Sequence, residues 1–270
     1  MAQARRFLVV IATAAAACAP PTDRLVRVAA EATPLVASAA PGAPLVATLH
    51  AGELLELGGA RPALSWKGEL QGKPAEASGP VVEARRAPGD EPALAWKGAL
   101  GDEVSAPTTS YLCHRMKRAG HCNEQLRRIA TADGGTFAYL PCSGSACPLA
   151  LSHGRKLSLL NLDGVREARL ATVAGQQVLL VDTLRVHDDK FTEQELHVLR
   201  LDGGLRKGLK VPLRLSDTRA VRQHLIDGEL TVDENELRYV GRDRYYDAEH
   251  GVDISSQPIR QTYRLAPAAR

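Results

Sequence analysis

From Leu25 onward, short apolar runs alternate with turn-forming residues. Residues 25–36 and 43–57 are broken by Pro34 and Gly52, a pattern that predicts strand–turn–strand. After Thr136 the pattern becomes more regular. Residues 137–142, 149–152, 157–162, 166–173, 177–186, 195–201, 209–215, 229–232, 236–240 and 260–265 are alternating or apolar runs between turns, which predicts strands. Asp163-Gly164, Asp202-Gly203-Gly204 and Asp227-Gly228 are the strongest hairpin signals. The order predicts an antiparallel meander: a sandwich, an open barrel or part of a propeller.

One stretch has a helical period. Leu112, Met116, Ala119, Leu126, Ile129 and Ala130 recur at three- to four-residue spacing, which predicts a helix over 110–131. Ser110 can cap its start, and Gly134-Gly135 lie past its end. Its five basic residues against Glu124 read as a solvated face. Upstream, Pro62 to Leu70 recurs as Pro92 to Leu100, with seven of nine positions matching at a spacing of 30. Trp66 and Trp96 hold the same place in the two copies. A duplicated strand whose Trp fills a small core accounts for this, and a pair of indoles stacking on a sugar or peptide is the ligand-binding alternative. Residues 71–92, rich in Gly, Pro, Ala and charge, read as a loop or linker. The expected fold is mainly β. A small module at 25–108 leads into a larger antiparallel β domain at 109–270 with one short helix.

The amino terminus belongs to neither domain. Arg5 and Arg6 precede an apolar run from Phe7 to Ala17, broken only by Thr13. Its length suits a signal peptide and falls short of the roughly 20 residues a spanning helix needs. Pro20-Pro21 cannot continue a helix. Residues 1–17 are therefore expected to be cleaved. Ala15-Ala16-Ala17-Cys18 resembles the lipobox of bacterial lipoproteins, although the usual Leu is Ala15 here. The resemblance implies that Cys18 carries lipid, that 18–24 is a tether, and that the protein faces the periplasm from the outer membrane, since Ala19 follows the Cys. Several acyl chains at about 0.8 kcal/mol per buried methylene hold a protein on a membrane. An ordinary secretory signal is the other reading of these residues.

A second resemblance covers residues 25–60. Pro34-Leu35, then Ala43-Pro-Leu-Val-Ala-Thr-Leu49 followed by Gly52-Glu53, is similar to the first half of bacterial Src-homology-3-like domains. In that family this is a strand ending in a tight turn, at which Gly52 would take a positive φ. The resemblance implies a small barrel and binding of peptidoglycan or peptides, with no specific binding residue carried over.

With Cys18 assigned to lipid, four cysteines remain: Cys113, Cys122, Cys142 and Cys147. In an exported chain an even, clustered set reads as two disulfides. On one unbroken helix Cys113 and Cys122 would sit about 13.5 Å apart along the axis, too far for a bond that needs Cα atoms within ~7 Å. Either the helix breaks near Ala119-Gly120 and the pairs are local, 113–122 and 142–147, or each Cys pairs with the 142–147 loop. The local set is preferred. Zinc would use the same ligands with nearby His114 and His121, but the spacing of Cys113 and Cys122 does not suit it.

Charge adds little. The chain is formally +3, and removing Arg5 and Arg6 with the leader leaves +1, which makes no electrostatic case for nucleic acid. Ser143-Gly144-Ser145 is not a nucleophile elbow. Asp182, Asp188, Asp189, Glu193 and Glu195 form one acidic zone, and Asp233, Glu234 and Glu236 another. Paired acids can hydrolyse glycosides, but the calcium-loop pattern is missing, as are the phosphate and dinucleotide fingerprints. No catalytic residue, metal or cofactor is expected. The expectation is a lipid-anchored envelope protein, non-enzymatic, binding cell wall or another envelope protein. The alternative is a secreted hydrolase using acids of the β domain.

Overall fold

The computed structural model describes residues 20–40, 42–118, 122–202, 204–233 and 235–265, so Cys18 and the leader lie outside it. The chain is mainly β, in three antiparallel sheets. Among the described residues no helix is long and apolar enough to cross a membrane.

The first sheet is built from β1 (Thr22–Val28), β2 (Thr33–Val36), β3 (Leu45–Leu49), β4 (Leu54–Leu70), β5 (Lys73–Arg85), β6 (Ala93–Trp96) and β7 (Leu100–Pro107). Its order, β3-β2-β6-β5-β4-β1-β7, leaves β3 and β7 as edges. No pairing among the described residues closes the barrel that the Src-homology-3-like resemblance implies. Period-2 alternation works on both faces of β6: Leu94 and Trp96 join one core cluster, Ala93 and Ala95 another.

Residues 71–92 are not a linker. Gln71-Gly72, with φ of 54° and 75°, turns β4 directly into β5, from Leu70↔Lys73 to Glu56↔Arg85. Pro74 and Pro80, which suggested a loop, lie outside the stretch of β5 that β6 covers (Val81 to Ala84), so their missing N–H leaves no ladder bond unmade there. The two copies of the Trp repeat also diverge. Trp66-Lys67-Gly68 lies within β4, whereas Trp96 ends β6 and Lys97–Ala99 forms a 3-10 turn.

The expected helix over 110–131 is correct only at its start. It is α1 (Thr109–Arg115), capped by Thr108 rather than Ser110 through a bond from the Tyr111 amide, then the single turn α2 (Cys122–Gln125). By Arg127 the chain is already a strand, β8 (Arg127–Ala130). Leu126 and Ile129 keep helical spacing in sequence but are buried in different cores, one under the helices and one between sheets.

β8, β9 (Thr136–Tyr139), β10 (Cys147–His153) and β11 (Lys156–Leu162) form the second sheet in sequential order. Alternation sends Ala138 and Ala150 toward the helices, and Phe137, Tyr139, Leu149 and Leu151 toward the third sheet. That sheet is the expected meander: β12 (Val165–Val173), β13 (Gln176–Asp188), β14 (Phe191–Arg200), β15 (Arg206–Asp217), β16 (Arg222–Val232), β17 (Leu237–Asp247) and β18 (Val252–Tyr263).

Two of the three expected Asp-Gly hairpins are something else. Asp163-Gly164 carries the chain from the second sheet to the third. Gly164 has φ 63°, and a Cβ there would lie 2.0 Å from the Leu184 carbonyl oxygen. Asp227-Gly228 lies inside β16, with Gly228 opposite Gly241 on β17. The Tyr239 ring fills the space left by those two glycines.

Candidate functional site

The three sheets meet around one turn. His50 to Glu53 connects β3 to β4, and Gly52 takes φ 93°, the positive value expected of it. Its amide donates to the Val28 carbonyl and its carbonyl accepts from the Ala130 amide, which joins the first sheet to the second. An added Cβ would meet Leu170 Cδ1 of β12 at 3.0 Å.

A chain of charges runs beneath this turn. His50 Nδ1 pairs with Glu31 at 2.6 Å, and Glu31 also accepts from the Ala51 amide at 3.0 Å. Glu53 accepts from the His50 amide at 2.8 Å and from Arg86 Nε at 2.8 Å. The other arm of Arg86 reaches Glu167 of β12 at 3.1 Å. Burial pushes the Glu53 carboxyl above its ordinary value, although Arg86 and the His50 amide oppose the shift. Burial also raises the hydroxyl of Tyr139, which lies beside Arg86 and faces the Ala168 backbone. Burial alone would raise Glu31 as well, but the bonds from His50 and Ala51 bring it below the usual range.

Ligand atoms of His50, Glu53 and Glu167 lie within 4.8 Å of one another, close enough to suggest a metal. The donor set does not suit one. The Arg86 guanidinium bonds both carboxylates and already supplies the positive charge there. The cluster is an ion-pair network linking two sheets.

Beside the network lies a groove of about 540 Å³, within the range of ligand sites. One wall is Arg27 and Val28 of β1 with Ala29 and Glu31 of the loop that follows, and the opposite wall is Arg169 to Thr172 of β12. Ala130 and Ala132, beside Gly52, complete it on the side of the second sheet. A smaller cavity of about 290 Å³ opens beyond Arg169, lined by His50, Glu167 and Asp182 among others.

The residues singled out from sequence lie elsewhere. Trp66 and Trp96 are 4% and 5% exposed, and their indole N–H groups donate to the Ala43 and Leu64 carbonyls. Neither offers a face for stacking, so the ligand-binding alternative for this pair is corrected to core packing. Cys113–Cys122 and Cys142–Cys147 are the two disulfides, with Cα separations of 5.9 and 5.8 Å. In the acidic zone, Glu193 and Glu195 share Arg185 at 2.5 and 3.1 Å, and Glu195 also holds Lys210 at 2.5 Å. Burial opposes its ionisation, but bonds from His197 and Lys210 bring the Glu195 carboxyl down to about 2. Burial, then a hydrogen bond and repulsion from Glu195, raise Glu193.

Arg27, Arg86, Tyr139 and Arg169 were not visible as a site, because they belong to β1, the β5–β6 loop, β9 and β12 and share no spacing. Comparison with protein-family models, characterised proteins and solved structures finds no match.

Proposed function

We propose that this is an exported, lipid-anchored envelope protein that acts by binding cell wall or another envelope protein, with the groove between the first and third sheets as its recognition surface. The carrying observation is covalent. Apart from Cys18, every cysteine is consumed in a local disulfide, and such bonds persist in oxidising compartments. The short apolar leader before Cys18 supports the same location. Binding rather than catalysis rests on the groove's lining: mostly apolar side chains with two guanidiniums, beside a Glu31 carboxylate already held by His50 and the Ala51 amide.

The test is the intact mass of native protein extracted from membranes. The expected species starts at Cys18, carries acyl chains, and gains the mass of two reduced disulfides on thiol treatment. It should also sediment with isolated cell wall or the outer membrane. Cytosolic protein that retains Met1 and free thiols overturns the reading.

A secreted hydrolase is the second reading, favoured by the opposed shifts of Glu193 and Glu195, the kind of split an acid–base pair uses. Against it, both carboxyls are tied to one guanidinium nitrogen, Arg185 Nη2, at 2.5 and 3.1 Å, and Glu195 also to Lys210 at 2.5 Å. Turnover of chromogenic glycosides that disappears in Glu193→Gln would establish it.

A further inference from the structure

We propose that the groove beside β12 takes an extended peptide segment bearing a carboxylate, added as a further strand to the open edge of the third sheet. The inference rests on the binding reading above and names the ligand class.

β12 ends its sheet and, among the described residues, pairs only with β13. The two strands are joined by the two-residue turn Ala174-Gly175, with φ of 51° and 73°, so Val173 and Gln176 form a hydrogen-bonded pair. Counting back in steps of two, Ala171, Arg169 and Glu167 turn their main-chain groups to β13. Those of Thr172, Leu170 and Ala168 turn outward. Ala168 lies outside the groove's lining. The N–H and C=O groups of Leu170 and Thr172 have no partner among the described residues, and both residues line the groove. A row of open main-chain groups is what a peptide strand pairs with.

Charge names the rest of the ligand. Arg27 and Arg169 line the same groove, both half-buried, and neither makes a hydrogen bond or ion pair among the described residues. The nearby anion is Glu31, whose two oxygens already serve His50 and Ala51. Two guanidiniums against the one carboxylate of Glu31 leave the groove with a surplus positive charge, complementary to a further carboxylate, which they can bind through paired N–H groups. Val28, Ala29 and Ala171 leave room for small apolar side chains beside it. The carboxylate can belong to an acidic side chain or to the end of a peptide.

The test uses purified, oxidised protein and bead-bound Thr/Val peptides with a central Glu, Gln or Lys, each with an amidated or a free carboxyl end. Glu peptides, free-ended peptides or both should be retained at least tenfold over the amidated Gln peptide, and the two arms separate the two sources of carboxylate. The preference should vanish in the double variant Arg27→Gln, Arg169→Gln. Bound peptide should slow amide exchange at Leu170 and Thr172. Thr172→Pro, which deletes an N–H that bonds nothing among the described residues, should weaken all the peptides together; if that variant misfolds, the arginine double variant decides alone. The proposal is overturned if no peptide is retained, if Lys or amidated Gln peptides bind equally well, if another edge is protected, or if self-association protects these amides. Should the peptide arms fail while native protein is still acylated and sediments with the envelope, the ligand class falls and the envelope role stands.

Discussion

Arg86 and Glu53 meet at 2.8 Å with 13% and 5% of their side chains exposed, and Arg86 continues to Glu167 on another sheet. Removing one partner of a buried pair leaves a charge stranded and costs about 3–5 kcal/mol. Arg86→Ala is therefore expected to lower the urea midpoint without changing the slope. Arg86→Lys should recover only part of the loss, since a single ammonium nitrogen cannot stand in for the separate Nε and Nη2 that reach Glu53 and Glu167. A wild-type midpoint in Arg86→Ala would mean the pair does not hold the sheets together.

Gly228 is a packing position, not a turn. A Cβ there would sit 2.3 Å from Tyr239 Oη, whose hydroxyl donates to the Pro212 carbonyl at 2.6 Å. Gly228→Ala should cost about 1–3 kcal/mol through overpacking. In a Tyr239→Leu background the added methyl should cost much less, and thermal unfolding of the four proteins of this cycle measures the coupling. Equal costs in both backgrounds would show that the ring is not the obstacle.

The disulfides clip short loops. By loop-closure entropy, Cys113–Cys122 is expected to contribute about 2.7 kcal/mol and Cys142–Cys147 about 2.2 kcal/mol. Paired Cys→Ser variants, compared by chemical denaturation, should show the larger loss for the helix-region bond. Crossed pairing on peptide mapping would contradict both the connectivity and this ranking.

Two carboxyls give opposite pH dependences. Glu195, lowered to about 2 from an ordinary 4.5, stabilises the fold above pH 4.5, and this contribution is lost as pH falls toward 2. Glu53 is raised, so its contribution is present below pH 4.5 and is lost as pH rises through its folded value. Glu195→Gln should flatten the acid limb of stability against pH, and with that neighbour neutral Glu193 should titrate lower. Glu53→Gln should remove the decline above pH 4.5. Denaturation midpoints across this range check each sign separately.

The strands of the third sheet were legible where apolar residues cluster or alternate, as in β13, whereas β16, β17 and β18 bury few side chains and show in the pattern only as 229–232, 236–240 and 260–265 against Arg222–Val232, Leu237–Asp247 and Val252–Tyr263. The elements misread share one cause. Residues 71–92 look like a linker by composition, yet Leu64, Trp66 and Val81 pack into a single core with Trp96 and draw them into a hairpin. The 110–131 period continues past α2 only because Leu126 and Ile129 serve two separate cores. Asp227-Gly228 has the local chemistry of a turn, but the Tyr239 ring needs the space its glycine leaves.

By itself the sequence determined what is local: the strand periods, the antiparallel order of the meander, the Gly52 turn, and four cysteines close enough to pair with their neighbours. These follow from side-chain period, backbone sterics and loop length, all of which act over a few residues. Tertiary structure alone decided which surfaces face each other. It buried both tryptophans, set Arg86 between Glu53 and Glu167, and brought Arg27 and the open edge of β12 to one groove. Those residues are far apart in the chain, and what joins them is the burial of apolar faces that no spacing records.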